Sequence, residues 1–235
     1  MADGNDAKTT PTAPRGCLSR ALVLVLVIFS AGLGVAVYFM AQAQDLSDVR
    51  SDSPVSSPAL PLDVKALLQN ALDHSYPVKF TQSEINRWLT STLQTKQGGK
   101  FAGHVSLDAV WVRLEDGRAE VVLERKVLGH PFTVSMYLQV EQSESEDGPT
   151  SNVQFHGGEF HPYLPYPKCG GRFGRLAVPQ GFLHLVLPAF KSLAAVFPEE
   201  LRLGFSEIPR VKFADDSITF DPHGPQPPAI SPPNP

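Results

Sequence analysis

The residue types best suited to metal or nucleophilic chemistry gather in His156-Gly157-Gly158-Glu159-Phe160-His161, with Cys169 a short way beyond. Two imidazoles, a carboxylate and a thiol are a ligand set that zinc accepts. The spacing works against it. An HExxH site needs its two histidines one helical turn apart, and the paired glycines here oppose a helix. On a strand the odd separation of His156 and Glu159 sends them to opposite faces. They read as polar residues at a strand end, so neither metal nor cofactor is expected. Cys169 with His161 or His184 would give a thiol nucleophile and its base, but nothing in the spacing makes them meet. Gly170-Gly171-Arg172-Phe173-Gly174-Arg175 lacks the lysine-serine ending and the flanking strand and helix of a phosphate loop. Glu199-Glu200 after Pro198 reads as a solvated turn rather than a catalytic carboxylate pair. The chain is therefore expected not to be an enzyme, with a metal- or thiol-dependent hydrolase kept as an alternative.

The other chemistry on offer is apolar. Trp88, Trp111, Phe182, Val186 and Phe190 are placed to line an elongated groove between a helix and a sheet. The competing reading makes them ordinary core. A groove of this kind would hold an acyl chain, each buried methylene contributing about 0.8 kcal/mol.

These residues need elements to carry them, and the most prominent is the uncharged run Ala21 to Ala41. As a helix it is about 31 Å long, enough for a hydrocarbon core of about 30 Å. Lys8, Arg15 and Arg20 precede it, and Asp45 and Asp48 follow. The positive-inside rule then puts the N-terminus in the cytoplasm and the rest outside, as a single-pass protein of the cytoplasmic membrane. Ala41-Gln42-Ala43 is also a signal-peptidase pattern, but the run exceeds the usual 7–15 residues of a signal core. The expected layout is a basic tail over 1–20, an anchor over 21–41 and a polar linker over 42–61. A folded domain over 62–222 and a disordered proline-rich tail over 223–235 complete it. A net charge of -4 has the wrong sign for a nucleic-acid partner. Cys17 and Cys169 lie on opposite sides of the apolar run and are expected to stay unpaired.

Within the domain, Val64, Leu67, Leu68, Ala71 and Leu72 recur at helical spacing. Thr81-Gln82-Ser83-Glu84 is a capping box, Phe80 and Ile85 its staple, and Gly98-Gly99 the helix stop. From Val105 the period becomes two. Strands over Val105–Leu114 and Ala119–Val127 meet at an Asp116-Gly117 turn, and a phase slip near Asp108 predicts a bulge. Phe132 to Val140 alternates cleanly, Glu141 to Pro149 is an acidic turn, and Asn152 to Phe160 returns as a strand. His161 to Val178 is expected as an ordered loop, and Gln180 to Phe197 as a long helix kinked at Pro188. Strands over Leu201–Phe205, Ile208–Phe213 and Ser217–Phe220 close the domain. The order implies an α+β fold: an N-terminal transmembrane helix, then a curved antiparallel sheet packed against one or two long helices.

Phe80-Thr81-Gln82-Ser83-Glu84-Ile85-Asn86-Arg87-Trp88-Leu89, Leu176-Ala177-Val178-Pro179 and Ser206-Glu207-Ile208-Pro209 stand ahead of a final D-x-I-x-F strand. Together with the anchor and spacer, this arrangement resembles the YpmS-like bacterial membrane proteins, which are related to tubular lipid-binding (TULIP-like) domains. The resemblance implies an extracytoplasmic domain with a lipid-binding or envelope role and brings no catalytic residues. It breaks at the Tyr163–Arg175 insertion and the tail. The leading expectation is a membrane-anchored domain that binds a lipid or other elongated apolar ligand. The alternative is an envelope scaffolding protein with a filled core and a protein partner.

Overall fold

The computed structural model describes residues 15–50, 62–96, 107–127, 130–145, 148–154, 159–161 and 164–223. The helix stop at Gly98-Gly99, most of the basic tail and the tail beyond His223 lie outside the described residues. Two compact units are present, Met1–Phe39 and Met40–Pro235. The first contains most of α1 (Arg15–Ala41). Its Ser19–Ala41 stretch is long and apolar enough to cross a membrane, a property shared by anchors and signal sequences.

The second unit is α+β. It runs α2 (Val64–His74), β1 (Val78–Thr81), α3 (Gln82–Lys96), β2 (Leu107–Glu115), β3 (Arg118–Val127) and β4 (His130–Ser145). Next come β5 (Gly148–Gln154), β6 (Glu159–His161), β7 (Leu164–Phe173) and β8 (Leu176–Pro179). A 3₁₀ turn (Gln180–Leu185), α4 (Leu187–Ala194), α5 (Pro198–Arg202) and a π turn (Leu203–Glu207) follow, then β9 (Arg210–Ala214) and β10 (Ser217–Asp221). The larger sheet has the path β2-β3-β4-β7-β6, with β5 on β4 and β8 on β7; a smaller one is ordered β1-β10-β9. All pairings are antiparallel.

Local chemistry explains the elements that form as expected. The Thr81 amide donates to Glu84 Oε2 at 2.8 Å, and the Glu84 amide to Thr81 Oγ1 at 3.3 Å, so both halves of the capping box are closed. The register of β2 on β3 shifts between Leu107 and Ala109, which is the bulge that the alternation predicts. Gly117 takes φ 75° in the hairpin turn that follows.

Five expectations are corrected. Glu141–Pro149 is not a turn, because β4 continues to Ser145 and pairs there with the returning strand, which is Gly148–Gln154 rather than Asn152–Phe160. The polar linker is not free at its start: Gln44, Leu46 and Val49 are buried on the sheet. Gln180–Phe197 is not one kinked helix, because Pro188 falls at the start of α4, where its missing amide has no partner to lose. The ordered loop after His161 instead forms the β7–β8 hairpin, turning at Gly174, which takes φ 56°. Leu201–Phe205 is helical rather than extended, since Pro198 with Glu199 and Glu200 makes a helix start that outweighs three alternating apolar residues.

Candidate functional site

An apolar cavity of about 690 Å³ lies within the second unit. Its floor is one face of the larger sheet: Val110, Val112 and Leu114 of β2, Ala119 and Val121 of β3, and Met136 and Leu138 of β4. These follow the period-two rule, every second residue of a strand pointing the same way. One wall is α3 through Ile85, Trp88 and Leu89; the other is the α4–α5 segment through Leu187, Phe190, Ala194 and Phe197. Phe80, Phe213 and Phe220 close one end from the smaller sheet. Phe80 and Phe220 meet edge to face at 6.0 Å, and Trp88 and Phe197 are 4.9 Å apart.

The charged side chains that reach the lining are Lys191, Glu200 and Arg202, all from the α4–α5 segment. Arg202 is held by Glu199 and Glu207. Among the described residues Lys191 and Glu200 have no ion-pair partner. The space separates two hydrophobic clusters, one around Leu68, Phe80 and Phe220, the other around Leu89, Val110 and Phe190. Interiors are normally packed with few voids larger than a water, so a gap of this size stands out from ordinary packing.

The five groove candidates part company here. Trp88 and Phe190 line the cavity. Val186 is half-buried against the same cluster without reaching the cavity, and Phe182 is exposed. Trp111 lies on the opposite face of the sheet, as its neighbours Val110 and Val112 require by alternation. There it packs with Leu46, Val49 and Val122, donates from Nε1 to Glu124 Oε2 at 3.1 Å, and carries the Arg50 guanidinium over its ring. The floor of Val110, Val112, Met136 and Leu138 was open to inference from the same alternation, whereas large aromatics draw the eye first.

That opposite face holds a buried polar network. Glu120 accepts from Arg113 Nη1 at 2.6 Å and from Ser135 Oγ at 2.5 Å. Arg113 also grips Asp48 at 2.5 Å and the Asp45 carbonyl at 2.9 Å. The Gln44 amide donates to Thr133 Oγ1 at 2.9 Å and its side-chain nitrogen to Ser135 Oγ at 3.2 Å. The hydrogen bond from Arg113 holds the Asp48 carboxyl below its usual range. Burial, and then the charge of Glu120, push Tyr137 up to about 12.

The metal and thiol candidates do not assemble among the described residues, where no three His, Cys, Asp or Glu side chains converge. His156 lies outside the described residues, and of Glu159 and His161 only the backbone is described. Cys169 is buried and donates to the Gly171 carbonyl at 3.5 Å; burial pushes its thiol up, away from the reactive thiolate. The glycine run beside it serves packing: a Cβ at Gly171 would overlap the Ser135 carbonyl oxygen. No protein-family model matches the chain, and no curated protein is detectably similar to it in sequence.

Proposed function

We propose that this chain is a single-pass membrane protein whose domain, outside the cytoplasm, binds one elongated apolar ligand such as a lipid acyl chain. The observation that carries the reading is the cavity of about 690 Å³ with an almost wholly apolar lining, its charged lining residues all coming from the α4–α5 segment. Ligand sites span about 300–1,000 Å³ and are apolar with a few polar groups that orient the ligand. Ten buried methylenes would contribute about 8 kcal/mol before the cost of association. The resemblance to YpmS-like proteins and their TULIP-like relatives points the same way. The anchor is α1, and the basic residues before it with the acidic ones after it favour a cytoplasmic N-terminus.

Native mass spectrometry of the full-length protein released from micelles tests the ligand. The expected spectrum shows one acyl-lipid adduct per chain, depleted in an Ala194→Trp variant that fills the wall. Absence of any adduct after incubation with palmitate would leave the filled-core scaffold as the better account. Fractionation tests the anchor: the protein should resist carbonate extraction and retain its N-terminal residues.

A further inference from the structure

The 3₁₀ turn displays two large apolar side chains that the core does not use. Phe182 is 53% and Leu185 73% exposed, while Leu183 between them is 5% exposed. Among the described residues outside α1, Leu201 is the other large apolar side chain left in solvent, at 38%. Three residues per turn stack Phe182 directly over Leu185 on one edge, as Leu183 turns inward. The turn is fixed rather than loose. It passes so close to β7 that a Cβ on Gly170 would sit 2.6 Å from the Gln180 Cα and 2.9 Å from the Leu183 side chain. The Val186 amide donates to the Leu183 carbonyl at 3.0 Å. Two stacked apolar side chains held in water on a fixed element form a candidate docking surface.

Charge indicates what covers it. From Phe160 to Pro198 the sequence contains no Asp or Glu, yet it carries Lys168, Arg172, Arg175 and Lys191, in a protein whose net charge is -4. Arg172 is partly occupied by Glu120, but Arg175 and Lys191 are exposed, and so is His184 within the turn. An exposed apolar edge on a stretch of chain that carries His184 and Lys191 in solvent and no carboxylate suits a segment that settles into an anionic lipid interface. Its covalent attachment to a helix able to cross a membrane makes the encounter intramolecular, so a small edge suffices. The same segment continues without a break into α4, whose Leu187 and Phe190 line the cavity.

We propose that the Phe182–Leu185 edge inserts into the interfacial layer of an anionic bilayer and brings the α4 wall of the cavity to the lipid. The role in ligand transfer rests on the lipid-binding reading; the insertion rests only on α1 being retained as the anchor. The test uses full-length protein with Cys17→Ser and Leu185→Cys, spin-labelled and reconstituted in vesicles of phosphatidylcholine with phosphatidylglycerol; the remaining Cys169 is buried. The label should become accessible to oxygen and shielded from a water-soluble nickel chelate, more so as phosphatidylglycerol is raised. A label on exposed Lys212→Cys should stay in water. Equal behaviour at both positions would overturn the proposal. So would shielding from both reagents with spin–spin broadening, which would mean that a second copy covers the edge. A Phe182→Ser, Leu185→Ser double variant should keep the melting temperature and any lipid adduct while slowing transfer of a fluorescent fatty acid from vesicles several-fold. A mass spectrum without any lipid adduct, together with an inserted edge, would refute lipid storage and leave insertion standing.

Discussion

Glu120 has no exposed surface, yet its carboxylate is satisfied on both oxygens by Arg113 and Ser135. A buried ion pair adds little against an apolar replacement, but removal of one partner strands the other charge and costs about 3–5 kcal/mol. Glu120→Ala should therefore lower stability, toward the lower end of that range in urea titration, because Arg113 keeps Asp48 while Ser135 and the inner side of its guanidinium lose their acceptor. The partner of Arg113 at the surface gives a pH signature. Asp48 is depressed chiefly by the Arg113 hydrogen bond. In Glu124, burial raises the carboxyl, but the hydrogen bonds from Arg50 and Trp111 with the charges of Arg50 and Lys126 outweigh it and leave the group lowered. Both groups bind protons more weakly folded than unfolded. Their contribution is complete above the unfolded carboxylate range, near pH 4, and disappears as pH falls through the lower folded values. Acid unfolding followed by tryptophan fluorescence should show a shallower loss between about pH 5 and 2 in Asp48→Asn than in the parent. An unchanged slope would show that the clamp on 44–50 carries no linkage.

α3 does more than cover the sheet. Asn86 Nδ2 donates to the Val112 carbonyl at 2.8 Å, and the Val112 amide donates back to Asn86 Oδ1 at 2.7 Å. Gln82 Oε1 takes the Leu114 amide at 2.7 Å. Among the described residues β2 has no neighbour strand on that edge, and these side chains stand in for one and cap it against pairing with another chain. Asn86→Ala would leave a donor and an acceptor unpaired in a buried place, at about 1–3 kcal/mol each. A loss of about 2–5 kcal/mol in thermal or urea unfolding is expected. Ser83→Ala, at an exposed site in the same turn, should change little. How much of this was legible follows from range. The capping box and the bulge at Leu107–Ala109 are local and could be read from spacing. The roles of Asn86 and of Gln44–Arg50 could not, because their partners lie far along the chain, and two apolar residues in a polar stretch carry no period. The glycines of β7 look like a loop for the same reason: they are needed only once Ser135 is against them. Pro188 misled because a proline inside an apolar stripe can either kink a helix or begin one.

At the scale of the molecule, two hydrophobic clusters share a sheet but leave about 690 Å³ between them unfilled. Side chains that border a void lose contacts on one side, so the empty form gives up dispersion energy that an apolar ligand restores. Ligand binding and stability are then linked. A ligand at 100 times its Kd adds about 2.7 kcal/mol, and a domain of this size gains about 2–4 °C in Tm per kcal/mol. The full-length protein stripped of lipid should thus melt about 5–10 °C higher when saturating palmitate is added. Ala194→Trp sets the counter-case. Ala194 is exposed on the α4 wall, so a larger side chain there can enter the space without displacing the core. That variant should melt at or above the stripped parent and respond little to palmitate. If parent and variant rise together, the fatty acid is binding somewhere other than the gap. If the stripped parent is already as stable as the variant and neither responds, the two clusters close on each other in solution and the gap holds no ligand.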